Sequence, residues 1–514
     1  METLPATTAS DAFPLQAESP PTETPPPAPP DRGWGPVART AFRFAFAYWF
    51  LYSFALFASF PVSLFSTVYN RLAAPDPANP PGWMEYVGYA TKPLEWYGQG
   101  KQWYTGWACR TFLPVSLGVD ATPPTDRSGS GDRQYAYCTA FADLTLAVVV
   151  GLNWTVASEL WVRLLTRRRP SYDRLNAFFR LLVRFHLMYF MIVYGAMKIW
   201  CGQFPPIADG QLEVKYGDSS PMGLLWRFMQ FSQPYTSTTG IIETTCGLLL
   251  VCRRTTLLGA MCSVGAMGQV FLLNMCYDVP VKLMSGHLLL MAVTLVVQDW
   301  RKLANFFILA KPVAAAPLPA LFVRWKWCHR IGLVVRTLLY LTFIGFTLER
   351  DYKSARETGI LTPPESRPFV GRWTGVEFER DGETVPVPEQ PANPPPMQFG
   401  QSKWSGEPGM QAVIRVSIQP QFQSAAFVFA DKTLVSYPFR TEADDTELVV
   451  SKPRDPEPVG RLRMSFPEPD RMVLEGPFGQ QRVKMTLRRI VDGRKEYLLK
   501  TTGFRWIQEK PFNR

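Results

Sequence analysis

The sequence predicts an α-helical transmembrane bundle of about seven helices joined to a separate all-β soluble domain, a barrel or a sandwich. Three observations carry this reading. Long apolar stretches fill the first two thirds of the chain, and the loops between them alternate in basic charge. After residue 369 the pattern changes to short segments of period-two alternation. The apolar stretches lie near Thr40–Phe65, Ala136–Leu165, Leu175–Trp200, Thr236–Val251, Thr256–Asn274, Val281–Val297 and Ile331–Leu348. Most reach the ~18–20 residues that span a bilayer as a helix, while the fourth and sixth need flanking residues or tilt.

Loop charge gives the orientation. The Pro-rich N-terminal tail ends in Arg32, Arg39 and Arg43 at the start of the first stretch, and the second-to-third connection carries Arg163, Arg167–Arg169 and Arg174. Arg253 and Arg254 follow the fourth; Arg301, Lys302, Lys311, Arg324, Lys326 and Arg330 follow the sixth. These connections share one side, which the positive-inside rule makes cytoplasmic. The expectation is a multi-pass protein of the plasma (inner) membrane, with its N-terminus cytoplasmic and its C-terminal domain exoplasmic.

Residues 1–32, rich in Pro and without apolar periodicity, read as a disordered cytoplasmic tail. The transmembrane domain runs over 33–350. Its outer loop, 68–135, is rich in Trp and Tyr from Trp83 to Leu113, which suits the headgroup region, and ends in the turn-forming run Ser128–Asp132. A second interfacial piece is expected at Pro221–Phe231. A Pro-bearing linker, 351–368, leads to the β domain, 369–514. Strands are expected near 370–380, 411–418, 424–430, 433–439, 446–451, 459–465, 471–476, 480–488 and 496–502. The net charge of +11 sits largely in the inner loops and serves orientation. With no nucleic-acid motif beside it, no nucleic-acid partner is expected. The eight cysteines form no CxxC, so no metal centre is expected. Cys201 and Cys276 end the third and fifth helices at similar depth, which allows a disulfide; the other reading is of small hydrophobes in the membrane.

Ionisable groups inside a membrane are costly unless paired or facing a cavity. Counting along the helices brings Asp143, Tyr194, Lys198, Glu243 and His287 to similar depth in the outer half, below Asp278 and Lys282 of a tight connection. A shared polar pocket is one reading. Against it, Lys198 can snorkel, Asp278 can cap a turn, and His287 can be a packing residue. Glu243 needs a partner in either case. Deeper, Glu159 and Arg184 are read as a structural ion pair, with His186 ambiguous.

Tyr194-Gly-Ala-Met-Lys198, Glu243-Thr-Thr-Cys-Gly247, Arg253-Arg-Thr-Thr-Leu-Leu-Gly259-Ala and Ser285-Gly-His287 resemble the DoxX-like membrane family over a core of about 175–309. The resemblance implies a four-helix bundle and a link to quinone-coupled thiol or sulfur oxidation. It marks Lys198, Glu243, Gly247, Gly259 and His287. The first two helices, the aromatic loop and the β domain depart from the minimal pattern. Gly371-Arg-Trp373, with Gly503-Phe-Arg-Trp506 after the last expected strand, resembles the lipocalin-like closure of a barrel end. Trp373 and Trp506 are then core residues.

Three function classes follow. One is a membrane oxidoreductase using a quinone in the outer half of the bundle, with a redox partner protein. The second is a non-catalytic binding or assembly module whose outer β domain holds a lipid or protein client. The third is a transporter, without a detectable inverted repeat. The bilayer is a partner in all three, and whether the protein is an enzyme stays open.

Overall fold

The computed structural model describes residues 35–73, 83–113, 118–124, 130–166, 171–207, 211, 216–313, 326–357, 360–361, 367–388, 411–419, 424–431, 434–452 and 457–490. The expected tail, much of the linker, the 496–502 strand and Trp506 lie outside these residues. All seven apolar stretches form helices: α1 (Pro36–Ala73), α3 (Gln134–Trp161), α4 (Asp173–Ile199), α6 (Gln233–Val251), α7 (Thr256–Cys276), α8 (Lys282–Val297) and α10 (Lys326–Glu357). Between them lie α2 (Trp83–Phe112), α5 (Pro221–Phe231) and the short α9 (Trp300–Leu303).

Five helices are long and apolar enough to cross a membrane alone: α1, α3, α4, α7 and α10. A sixth crossing is available if α8 and its continuation, bent by 66°, count as one. Helix α6 is shorter, and its polar residues, from Thr236 to Glu243 and Thr244, lower its apolarity. Leu144, Val148, Leu152 and Val156 of α3 and Leu333, Leu338 and Leu341 of α10 are exposed, as lipid-facing residues of a span must be.

Helix α4 is the centre of the bundle, with Leu182, Val183, Leu187, Met188, Met191 and Ile192 all fully enclosed. It packs against α6 through glycines. A Cβ on Gly195 would lie 2.8 Å from the Gly240 carbonyl oxygen, and one on Gly240 would lie 2.6 Å from the Gly195 oxygen. A side chain at either position would force the two backbones apart. Breaks between helices also follow local rules. Ser220 and Ser232 cap α5 and α6, accepting from the N–H groups of Gly223 and Tyr235, each with Pro in the first turn. Arg43, expected as an orienting loop charge, is instead buried, and latches α1 to Tyr172 and Ser158 with hydrogen bonds of 2.7–2.9 Å.

The C-terminal region is a closed antiparallel barrel. Strands β1 (Gly371–Arg380), β3 (Val413–Gln419), β4 (Ser424–Phe429), β5 (Leu434–Glu442), β6 (Glu447–Ser451), β7 (Pro458–Glu468), β8 (Arg471–Phe478) and β9 (Gln481–Arg489) each pair with their neighbours, and β9 returns to β1. A short extra strand, β2 (Glu383–Val385), folds back on the end of β1 through the Asp381-Gly382 turn. Alternate residues of each strand face inward, and Trp373, Phe378, Val416, Phe427, Leu448, Leu462, Leu474 and Met485 fill the interior. The Trp373 indole N–H donates to the Phe369 carbonyl at 3.0 Å, and the Arg489 guanidinium lies 4.7 Å from the Trp373 ring centre. Burial pushes the Tyr437 hydroxyl up to about 12. On the outer surface, Arg440 and then Arg461 hydrogen-bond Glu442 and hold its carboxyl below the usual range.

Candidate functional site

Residues from α4 to α8 line a cavity of about 530 Å³ in the bundle. Its walls are mostly apolar, with Phe190 of α4, Leu225 and Trp226 of α5, and Val270 and Leu273 of α7. Helix α5 forms one wall because Leu225 and Met229 pack on Phe204 and Val279. The expected interfacial piece thus serves the cavity, while Phe228 and Phe231 of the same helix stay exposed.

Two charged groups line this space. Lys198 closes the last turn of α4 and Glu243 the middle of α6, and their side chains form a buried ion pair. The Gly195–Gly240 contact one turn earlier on each helix makes this possible, since it brings the two backbones close enough for the side chains to meet. Lys198 carries three donors, and one engages Glu243. The other polar groups at the cavity are neutral. Gln203 has a buried side-chain carbonyl with no hydrogen-bond partner among the described residues. The Tyr194 hydroxyl donates only to the weak acceptor Met284 Sδ, at 3.6 Å, and the Asn274 amide donates to Ser285 Oγ at 3.0 Å. The arrangement offers donors and an acceptor in an apolar slot, the chemistry of a site for an amphipathic molecule.

His287 does not line this cavity. It lies on the opposite side of α8, facing α1. Its Nδ1 is 2.7 Å from the Leu283 carbonyl, which can only accept, so Nδ1 carries the proton. Nε2 then accepts from the Tyr48 hydroxyl at 2.6 Å. Tyr52 stacks on the imidazole at 4.5 Å between ring centres, and His186 lies 5.3 Å beyond Tyr52. Asp143 is also elsewhere, paired at 2.8 Å with Lys101 of α2, which docks that helix on α3. Asp278 and Lys282 pair with each other at 2.8 Å. The Asp132 carboxylate accepts the backbone N–H groups of Lys282 and Leu283 at 2.7 and 3.0 Å, capping α8.

Two expected contacts are absent among the described residues. Glu159 is half-buried and forms no ion pair with Arg184, whose guanidinium donates to Thr256 Oγ1 at 3.2 Å. Cys201 contacts Ser237 Oγ at 3.6 Å, and Cys276 is an exposed free thiol, so the two are not bridged. Azimuth explains both: equal depth on two helices does not turn side chains toward each other. Sequence reasoning also missed Tyr48, Tyr52, Lys101, Asp132 and Gln203. For Tyr48 and Tyr52 a signal existed, two phenols one turn apart in a Phe- and Ala-rich span. Asp132 gave none, since its partners lie about 150 positions away.

No family model and no solved structure matches the chain. Over 140 residues, 27% of this chain and 86% of the relative, it is 30% identical to the uncharacterised protein YwoB of Bacillus subtilis (strain 168). With most of that shorter protein covered at this identity, the chain belongs to the family of YwoB.

Proposed function

We propose that the bundle binds an amphipathic carbonyl-bearing lipid of the quinone class in the cavity between α4, α5, α6, α7 and α8. The observation that carries the reading is the buried Lys198–Glu243 pair in the wall of an otherwise apolar space of about 530 Å³. Lys198 donates to a carbonyl oxygen of the bound headgroup, and the free side-chain carbonyl of Gln203 accepts from a hydroxyl when the headgroup is reduced. Phe190 and Trp226 flank the ring, and Val270 and Leu273 receive the tail. Glu243 accepts from Lys198 and so holds its ammonium group at the cavity wall. The DoxX-like pattern at Lys198 and Glu243 supports the same reading, with this end of α4 on the exoplasmic side of the inner membrane. The lipocalin-like barrel, its interior filled by side chains, then serves as an appended exoplasmic domain, and a redox partner protein exchanges electrons with the bound lipid.

The test is chemical analysis of lipids retained by full-length protein purified in mild detergent. Wild type carries a quinone-class lipid in near-stoichiometric amount, visible in the ultraviolet spectrum of the extract. Leu273→Trp, which fills the space, loses most of it while remaining folded. The same trace of lipid in both proteins refutes the reading.

A further inference from the structure

The cavity does not account for the charges toward the other end of α4. Arg180 and Arg184 stand one turn apart on that helix, Arg253 lies in the α6–α7 hairpin, and Arg336 lies on α10. The three segments meet beside Arg184: its guanidinium donates to Thr256 Oγ1, three residues after Arg253, and Tyr340, one turn after Arg336, stacks at 6.4 Å on Phe185, the residue next to Arg184. Arg184 is only 6% exposed, and among the described residues no carboxylate pairs with it. The acid that reaches this group, Asp299, is already bound to Arg180 at 2.5 Å and to Lys302 at 2.7 Å.

Like charges gathered in a low-dielectric interior cost free energy that an anion would offset. A second, independent feature points the same way. Helix α7 begins at Thr256, the residue that meets Arg184, and the N-cap residue Thr255 gives its first turn no side-chain hydrogen bond. Its leading N–H groups add positive potential at that place. Orientation by the positive-inside rule would explain arginines in loops. It does not explain one enclosed between α4, α7 and α10.

We propose that this cationic pocket is a second binding site, for a phosphate-bearing anion: the headgroup of an anionic phospholipid or free phosphate. Arg184 and the Thr256 end of α7 form its floor. Arg180, Arg253 and Arg336, each half-buried, stand around it. Guanidinium forks arriving from three segments match the several oxygens of a phosphate better than the two of a carboxylate. Basic pockets between membrane helices hold lipid headgroups in this way.

The test uses the full chain in detergent and reads its melting temperature. One arm adds phosphatidylglycerol in mixed micelles against phosphatidylcholine; the other adds inorganic phosphate against chloride at equal ionic strength. In at least one arm the wild type gains about 4 °C or more. A gain with phosphatidylglycerol alone identifies the headgroup, and a gain with phosphate as well identifies a free-anion site. Arg184→Met and Arg336→Gln each lose at least half of the gain, and Arg336→Gln decides alone if Arg184→Met does not fold. Lys198→Met with Glu243→Gln keeps the gain, because the cavity is a different site. No gain in either arm, or an equal gain in wild type and Arg336→Gln, overturns the proposal.

Discussion

Replacing Glu243 by Gln leaves Lys198 as a cation in a protein interior, and the cost of that isolation can be set from the structure. Lys198 is 7% exposed and Glu243 5%, so water screens neither. The described residues offer Lys198 no second acid. Breaking such a pair from one side costs about 3–5 kcal/mol, whereas exchanging both members for apolar or neutral groups of similar size costs little. Glu243→Gln and Lys198→Met should therefore each destabilise the detergent-solubilised protein by about 3 kcal/mol or more. The double variant should fall short of the summed losses by at least about 2 kcal/mol.

The assay is a thermal or denaturant melt of the four proteins of this cycle, followed by tryptophan fluorescence. Gly240→Ala supplies a control on geometry. Its Cβ would stand 2.6 Å from the Gly195 oxygen, 2.7 Å from the Ile199 nitrogen and 2.8 Å from Lys198 Cβ, so α4 and α6 must separate. In the Gly240→Ala background the coupling between Lys198 and Glu243 should shrink toward zero. Additive losses within about 0.5 kcal/mol in the native background would refute the reasoning. Lys198 would then be a solvated anchor and Glu243 an isolated acid.

Three further outcomes are expected. Trp373→Ala should cost the barrel about 3–5 kcal/mol, and Trp373→Phe less, read as loss of near-ultraviolet circular dichroism at lower temperature. Tyr437, with its hydroxyl raised to about 12, favours the folded barrel fully below the ordinary tyrosine range near 10. That contribution is lost as pH rises from about 10 to 12, on the order of 2 kcal/mol, and Tyr437→Phe should flatten the alkaline fall in melting temperature. Asp132→Ala uncaps α8 and should cost about 1–2 kcal/mol, while Asp132→Asn, which keeps an acceptor oxygen, should cost less; equal losses would exclude a capping role.

The barrel was legible because its signal is local. Val416 and Ile418, or Val483, Met485 and Leu487, show the side-chain alternation within one strand, and eight of the nine expected segments match strands closely. The short β2 escaped notice because three residues do not make a period. Within the bundle, helix positions were legible from hydropathy, and so was the need of Glu243 for a partner. Partner choice was less so. Depth along a helix can be counted, but the face cannot be fixed without knowing the neighbour. On α8, Met284, Ser285 and Leu288 line the cavity and His287 turns to Tyr48 on α1. The Glu159–Arg184 expectation failed the same way, while glycines decided the Lys198–Glu243 meeting by setting the distance between α4 and α6.

Helix α4 connects these results. It carries Lys198 near one end and Arg180 and Arg184 toward the other, with the enclosed apolar residues Leu187, Met188, Met191 and Ile192 between them. An apolar helix in lipid has little to fix its height, because sliding by one turn exchanges one hydrocarbon contact for another. Charged partners at both ends remove that freedom. Lys198 is held by Glu243, and Arg180 by Asp299. A slide of one turn, about 5.4 Å, would break both pairs at once. The charges therefore set the height of α4 while the glycines set its separation from α6. The two together set the place of the cavity, so Asp299→Asn should lower the amount of the proposed lipid retained by the purified protein, through the register of α4 and without touching the cavity.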